Sequence, residues 1–426
     1  MKILIVGGGG REHALAWKAA QSNNVSKVFV APGNAGTAQE KKLENVAIDA
    51  EDIDALLLFA QNNHVNLTIV GPEAPLCLGI VDRFSDVGLK CFGPTQAAAQ
   101  LEGSKAFTKD FLARNNIPTA TYGNFTEIKS AKEYVQQVGV PIVIKADGLA
   151  AGKGVIIAQT EQQAFDAVDD MLAGNKFGDA GHRVVVEEFL IGEEASFIVM
   201  VDGENILPLA TSQDHKARDN DDEGPNTGGM GAYSPAAVVS DEMHTTIMQQ
   251  VIIPTVKGMA KEGNPYTGFL YAGIMISPDG IPKVLEYNCR LGDPETQPIL
   301  SRLNSDIVEL CLNAIDKKLA QVSVEWDERF AVGIVMAAGG YPDQYAKGNV
   351  IFGLENQIQN TKVFHAGTKL EGNKIVTQGG RVLCVIALAD SVSEAQSLAY
   401  QRVKTISWNN VYYRDDIGFK AIAREN

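Results

Sequence analysis

The sequence predicts an α/β and α+β multidomain protein, and three observations carry that expectation. A chain of 426 residues with 45% hydrophobic composition can bury sizeable cores, with about three domains as the length prior. Up to residue 100, short β-branched runs alternate with helical stretches, the pattern of parallel βαβ units in a doubly wound sheet. Beyond residue 325, AVGIVMAAGG, KVFHAGT and GGRVLCVIAL read as strands of another small α+β domain. The expected division is 1–103 for the parallel sheet, 104–190 and 191–324 for two α+β units, and 325–426 for the C-terminal domain.

In the first unit the strands are KILIVG, KVFVAP, LTIV and LKCF. Ligands of such sheets lie beyond the carboxyl ends of the strands, where GGGGREHA, PGNAG and GPEAPL fall, so these loops are expected to share one crevice. The Gly7 to Gly10 loop fits no frame of GxGxxG, and the second strand ends in Ala31 and Pro32 without a ribose-binding acid. Either the glycines only make a tight turn, or Arg11 and His13 join the following helix start in binding a phosphoryl group.

LEGSKAFTKDFLARNNIP then reads as an amphipathic helix with Ser104 as a candidate N-cap. After it comes KADGLAAGKGV, which imitates a P-loop and fails it: Asp147 replaces the leading glycine, Gly154 replaces the hydroxyl residue, and VIIAQT reads as a strand. Strand, glycine loop, strand is instead the geometry of a flap lying against polyphosphate. Lys145, on an otherwise apolar strand, needs an anionic partner such as phosphate. A helix with a TxxQ capping box at Thr160 and Gln163 follows. In RVVVEEFLIGEEAS, Glu187 and Glu188 point to opposite faces of a strand, so one side chain, with main-chain groups, can read an adenine edge.

The metal candidate is LEYNCRLGDPETQ. Glu286 and Asn288 sit two apart on a strand and share a face, supplying the two oxygens that magnesium takes alongside nucleotide phosphates. Arg290 continues that face and can stabilise charge on a transferring phosphoryl group. The alternative is the polar face of an edge strand. Between these stretches lies SQDHKARDNDDEGPNTGGMGAYSP, a long polar loop in which RDNDDE reads as a solvated excursion and NTGGMG as backbone donors for an anion. His215 is balanced between a role there and simple packing.

Several classes are disfavoured. The net charge of −15 argues against nucleic-acid or anionic-membrane binding, and no apolar run reaches transmembrane length. Five cysteines at 77, 91, 289, 311 and 384 form no CxxC pair, which suits a reducing cytoplasm. HExxH and GxSxG are absent.

Taken together, GGGGREHALAWK, PGNAGT, GPEAPL, LEGSKAFTKDF, KADGLAAGKGV, EEFLIGEEAS, PNTGGMGAYSP and NCRLGDPETQ resemble the phosphoribosylamine–glycine ligase family of the ATP-grasp superfamily. The resemblance implies an ATP-grasp core of two α+β subdomains at 104–190 and 191–324 under a glycine-rich flap, with the substrate side in 1–103. It implies ATP, 5-phosphoribosylamine and glycine giving glycinamide ribonucleotide through a glycyl phosphate, the second step of purine synthesis. ATP with Mg²⁺ or Mn²⁺ is the implied cofactor set. By that resemblance Lys105 and Lys145 hold phosphates, and Gly152, Lys153 and Gly154 close over them. Glu187, Glu188 and the Leu190 main chain meet adenine, and Glu194 meets the ribose. Glu286 and Asn288 bind the metal, while Arg290 and Lys145 act in catalysis. Gly9, Asn34, Glu73, Asp214, Lys216, Asn226 and Asp293 form the substrate side. The implied partners are glycine and 5-phosphoribosylamine, with no nucleic acid or membrane, and a transient contact with the preceding pathway enzyme. Two departures stand out: an all-glycine first loop, and no carboxylate on FLYAGIMIS beside the metal strand. An ATP-grasp ligase with another acid or amine substrate is the alternative.

Overall fold

The computed structural model describes residues 1–149, 154–173 and 182–425. Its first sheet is fully parallel, in the order Leu43–Asn45, Lys27–Pro32, Lys2–Gly7, Leu67–Val70, Cys91–Phe92. The order reverses direction at Lys2–Gly7, which places the crevice beyond that strand, where the glycine loop and GPEAPL meet. The glycine loop also packs tightly on PGNAG: a Cβ at Gly8 would lie 2.7 Å from the Gly33 carbonyl oxygen.

The second sheet is antiparallel, ordered Tyr122–Phe125, Val184–Glu188, Ile142–Ala146, Val155–Ala158. Ile142, Ile144 and Ala146 bury one face against the helices Ile128–Val138 and Glu161–Leu172 in a separate apolar core. Alternation then turns Val143, Lys145, Val185 and Glu187 toward the opposite face. The third sheet runs Ile206–Pro208, Glu193–Asp202, Thr267–Ile276, Pro282–Asn288.

The last large sheet differs from expectation. Phe330–Ala338, Arg381–Ala389 and Thr361–His365 are joined by Gln213–Asp214 and Gly231–Ser234 from either side of the polar loop. The sheet therefore crosses the chain segments that the sequence separates. RDNDDE is exposed from Asn220 to Glu223, as expected of a surface excursion, and it is anchored to the C-terminal segment. Arg414, fully buried, pairs with Asp222 and Asp416 and donates to the Ala217 carbonyl at 3.1 Å, and Tyr412 donates to Asp219.

The helix expected behind a Ser104 N-cap is Lys105–Arg114, and a short helix, Gln100–Gly103, precedes it. Ser104 caps it with an extended backbone, its hydroxyl accepting from the Phe107 N–H at 3.1 Å and donating to Asp147. Thr160 caps its helix as expected. No helix among the described residues is long and apolar enough to cross a membrane.

Candidate active site

The cleft between the second and third sheets is built around Glu187. Its carboxylate, 2% exposed, lies 2.7 Å from the Lys109 ammonium and 2.9 Å from that of Lys145. Burial raises the Glu187 pKa, but the two lysines more than offset it and hold the group ionised; burial lowers Lys109 to about 8 against the pull of Glu187. This corrects the expectation that the Glu187 side chain reads adenine, since both of its oxygens face lysines. The Leu190 main-chain groups, by contrast, make no hydrogen bond with the described residues and remain available to an adenine edge. Glu188, on the other face, accepts from the Thr121 N–H at 3.2 Å and approaches Lys283. Lys105, at the start of the helix that Ser104 caps, donates to the Gly148 carbonyl at 2.8 Å. Gly152 and Lys153 lie outside the described residues; Gly154 accepts from the Ala146 N–H at 2.8 Å.

The facing wall is the Pro282–Asn288 strand. Its register against Thr267–Ile276 slips between Gly273 and Ile274, so Leu285 is an extra residue and its carbonyl is released from the ladder. Lys145 takes that carbonyl at 3.3 Å. The bulge also lets Val284 and Tyr287 both face the core while Glu286 and Asn288 face the cleft. Burial raises the Glu286 pKa, yet Lys216, Lys145, Lys105 and Arg290, in that order, bring it down to about 2. Lys216 lies 3.8 Å from Glu286 and also pairs with Glu194.

An ionised carboxylate and an amide oxygen two residues apart fit a hard divalent cation. Among the described residues no cluster of three or more His, Cys, Asp or Glu side chains can hold a metal. Two protein oxygens leave room on such an ion for phosphate and water oxygens.

Arg290 is gripped from one side, by Glu102 at 2.7 Å and Glu73 at 3.1 Å. Arg290 and Arg11 overcome the effect of burial on Glu73 and hold its pKa at about 2. Glu102, absent from the sequence reading, also accepts from the Cys289 N–H at 2.7 Å and so fixes the chain between Asn288 and Arg290.

At the substrate side, Asp293 lies 3.3 Å from Arg381 and accepts from Gln297 at 2.8 Å, beneath Gly9 and Gly10. Gly9 caps the first helix, its N–H donating to Glu12 at 2.6 Å. The Asn34 side chain is occupied within the fold: its amide donates to the Gly8 and His365 carbonyls, and its oxygen accepts from Gly36 and Thr37. It shapes the loop rather than facing a ligand. Arg11 and His13 are also committed, Arg11 to Glu12 and the Leu291 carbonyl, His13 to the His365 N–H and Glu40, which corrects their reading as a phosphoryl site. Asp214 is raised well above its usual pKa by burial and by Glu295; its strand leads into Lys216. Asn226 is exposed and bridges Ala217. His215 is buried, accepting from the Gly418 N–H, and belongs to packing.

A lysine-lined cleft between two antiparallel sheets, closed by a carboxylate–amide strand, defines an ATP-grasp ligase. Residues 1–102, 103–296 and 331–420 match the N domain, the ATP-grasp (A) domain and the C domain of phosphoribosylglycinamide synthetase. The chain is 67% identical over its whole length to the phosphoribosylamine–glycine ligase of Vibrio parahaemolyticus, covering 99% of that protein, and 67% identical to that of Yersinia pestis, covering all of it. The solved phosphoribosylamine–glycine ligase of Thermotoga maritima, 33% identical, superposes with a TM-score of 0.85 over 98% of this chain and all of that one. A biotin carboxylase from Campylobacter jejuni shares the fold at 15% identity, with a TM-score of 0.76 over 96% of this chain and 92% of its own. The chain belongs to the phosphoribosylglycinamide synthetase family.

Proposed function

We propose that this enzyme joins glycine to 5-phosphoribosylamine with ATP, giving glycinamide ribonucleotide, ADP and phosphate. The glycine carboxylate attacks the γ-phosphorus and ADP leaves. The amine of phosphoribosylamine then attacks the glycyl phosphate carbonyl, releasing phosphate and a proton. Phosphoryl transfer asks chiefly for positioning and charge neutralisation. The observation that carries the reading is that Lys145, 2.9 Å from Glu187, donates to the Leu285 carbonyl of the strand that bears Glu286 and Asn288, while Lys216 lies 3.8 Å from Glu286.

In this reading Lys105 and Lys145 hold the nucleotide phosphates, with Gly152, Lys153 and Gly154 as the cover. The Leu190 main chain and Glu188 border adenine, and Glu194 takes the ribose once Lys216 releases it. Glu286 and Asn288 hold Mg²⁺ or Mn²⁺, which when bound neutralises phosphate charge. Arg290, steadied by Glu102 and Glu73, faces the transferred group. Asp293 orients glycine, and Gly9 with the Asp214, Lys216 and Asn226 loop borders phosphoribosylamine. Functionally, 1–103 supplies the substrate side, 104–190 and 191–324 the two halves of the nucleotide clamp, and 325–426 its support. We place the reaction in the cytoplasm, with the labile amine handed over by the preceding pathway enzyme.

The test is ADP release by purified protein with magnesium, ATP, glycine and fresh phosphoribosylamine, each omitted in turn, and with alanine replacing glycine. Release that needs both substrates and yields glycinamide ribonucleotide is expected. ADP formation indifferent to phosphoribosylamine, or an equal rate with alanine, would overturn the substrate assignment.

A further inference from the structure

Lys109 has no role in the reading so far, yet its side chain is 3% exposed and lies against Glu187, the carboxylate that holds Lys145. The two lysines use different oxygens of Glu187: Oε2 faces Lys109 and Oε1 faces Lys145. Taken alone, Lys145 and Glu187 would be a neutral pair with little attraction for polyphosphate. With Lys109 the group carries two positive charges and one negative, a net +1. That residual charge sits at Lys145, the end of the triad on the cleft face.

The same ammonium reaches the metal strand. Lys109 donates to the Thr119 hydroxyl at 2.7 Å, which donates to the Val284 carbonyl at 2.6 Å, while Lys145 donates to the Leu285 carbonyl next to it. Two adjacent carbonyls of the strand bearing Glu286 and Asn288 are thus tied to the two lysines that share Glu187. Buried charges in such an arrangement are costly to leave unpaired, so the triad holds one geometry.

We propose that Lys109 is a positioning residue of the phosphoryl transfer, which offsets the charge of Glu187 so that the cleft keeps a net positive charge for the nucleotide, and which fixes the distance of Lys145 from the metal strand. This rests on the assignment of Lys145 to the nucleotide phosphates.

Four variants separate the possibilities: Lys145→Met as reference, Lys109→Met, Lys109→Arg, and Lys109→Met combined with Glu187→Gln. Each is checked for folding by circular dichroism and thermal melting, then assayed for KM of ATP, KM of glycine, kcat, and Kd of magnesium–ADP. Lys109→Met should raise KM of ATP and Kd of magnesium–ADP about tenfold or more while KM of glycine moves less than about twofold. Lys109→Arg should recover most of the loss. The double variant again has net +1, so it should bind magnesium–ADP to within about threefold of the parent. A purely structural lysine predicts the reverse, a double variant no better than the single one; that result, or an unchanged KM of ATP in Lys109→Met, overturns the proposal. Should Lys109→Met not fold, the arginine and double variants decide by the same readouts. If Lys145→Met itself leaves KM of ATP unchanged, the phosphate assignment fails; if it raises KM and Lys109→Met does not, only the present inference fails.

Discussion

Glu286 concentrates the electrostatics of the cleft, and its charge is what a cation would answer. Glu286→Gln keeps the shape and removes the charge. It should raise the magnesium needed for half-maximal ligase activity by about tenfold or more, with KM of glycine little changed. Unaltered magnesium dependence would remove Glu286 from the metal site. His215 gives a second test through pH. Burial, with Arg414 next, lowers its folded pKa to about 4 from 6.5. The unfolded chain therefore binds a proton below about pH 6.5 that the fold refuses until about pH 4, and stability falls as pH drops through that window. The shift corresponds to roughly 3 kcal/mol at the acid end. His215→Gln should flatten the dependence of Tm on pH between those limits; an unchanged slope would show that other groups set it. The cleft residues that sequence could name were those with an unusual neighbourhood along the chain, such as Lys145 on an apolar strand or Glu286 and Asn288 two apart. Glu102, Lys109, Arg381 and Arg414 lacked that signal. Their meaning comes from partners far along the chain, Arg290 lying 188 positions from Glu102 and Ala217 lying 197 from Arg414.

At the scale of elements, the loop carrying Asp214, Lys216 and Asn226 is held by the C-terminal segment. Besides the Arg414 contacts, Lys420 pairs with Asp222 at 2.5 Å, and the Asp221 N–H donates to Asp416 at 2.8 Å. Arg414→Met removes the buried centre of this clamp and leaves two carboxylates facing each other. It should cost about 3 kcal/mol or more of stability, and in the folded fraction raise KM of phosphoribosylamine more than KM of ATP. Equal shifts in both constants would show that the clamp does not act through that loop. The glycine loops were legible because strand and helix periods change abruptly around them. So was the cap at Ser104, a hydroxyl residue standing just before a helical period. The bulge at Leu285 was not, because one residue slipped the strand alternation that pattern reading depends on.

Across the whole molecule, the apolar cores divide the chain differently from its sequence order. One core joins Ile3 and Leu15 of the first unit to Ile299 and Ile307 and to Ala331, Phe364 and Ile386 of the C-terminal sheet; another joins Leu4 and Phe84 to Phe197, Leu270 and Tyr287. First, third and last segments are therefore locked together. The sheet of Ile142–Ala146 and its helices keep a core of their own, from Ala131 to Val186, and meet the rest largely through polar ties such as Lys109, Lys145 and Glu187. Units that share no apolar core open separately, at lower free energy than the molecule as a whole. Amide hydrogen exchange should then show the Ile142–Ala146 and Val184–Glu188 amides opening more readily than those of Lys2–Gly7. A nucleotide gripping both sheets must be released before that unit opens. Magnesium–ADP at a hundred times its dissociation constant should therefore slow those amides by about a hundredfold, or about 2.7 kcal/mol, and leave Lys2–Gly7 nearly unchanged. Equal slowing in both sheets would mean that the molecule opens as one cooperative body, and that the polar joint beside Lys145 is as firm as the shared cores.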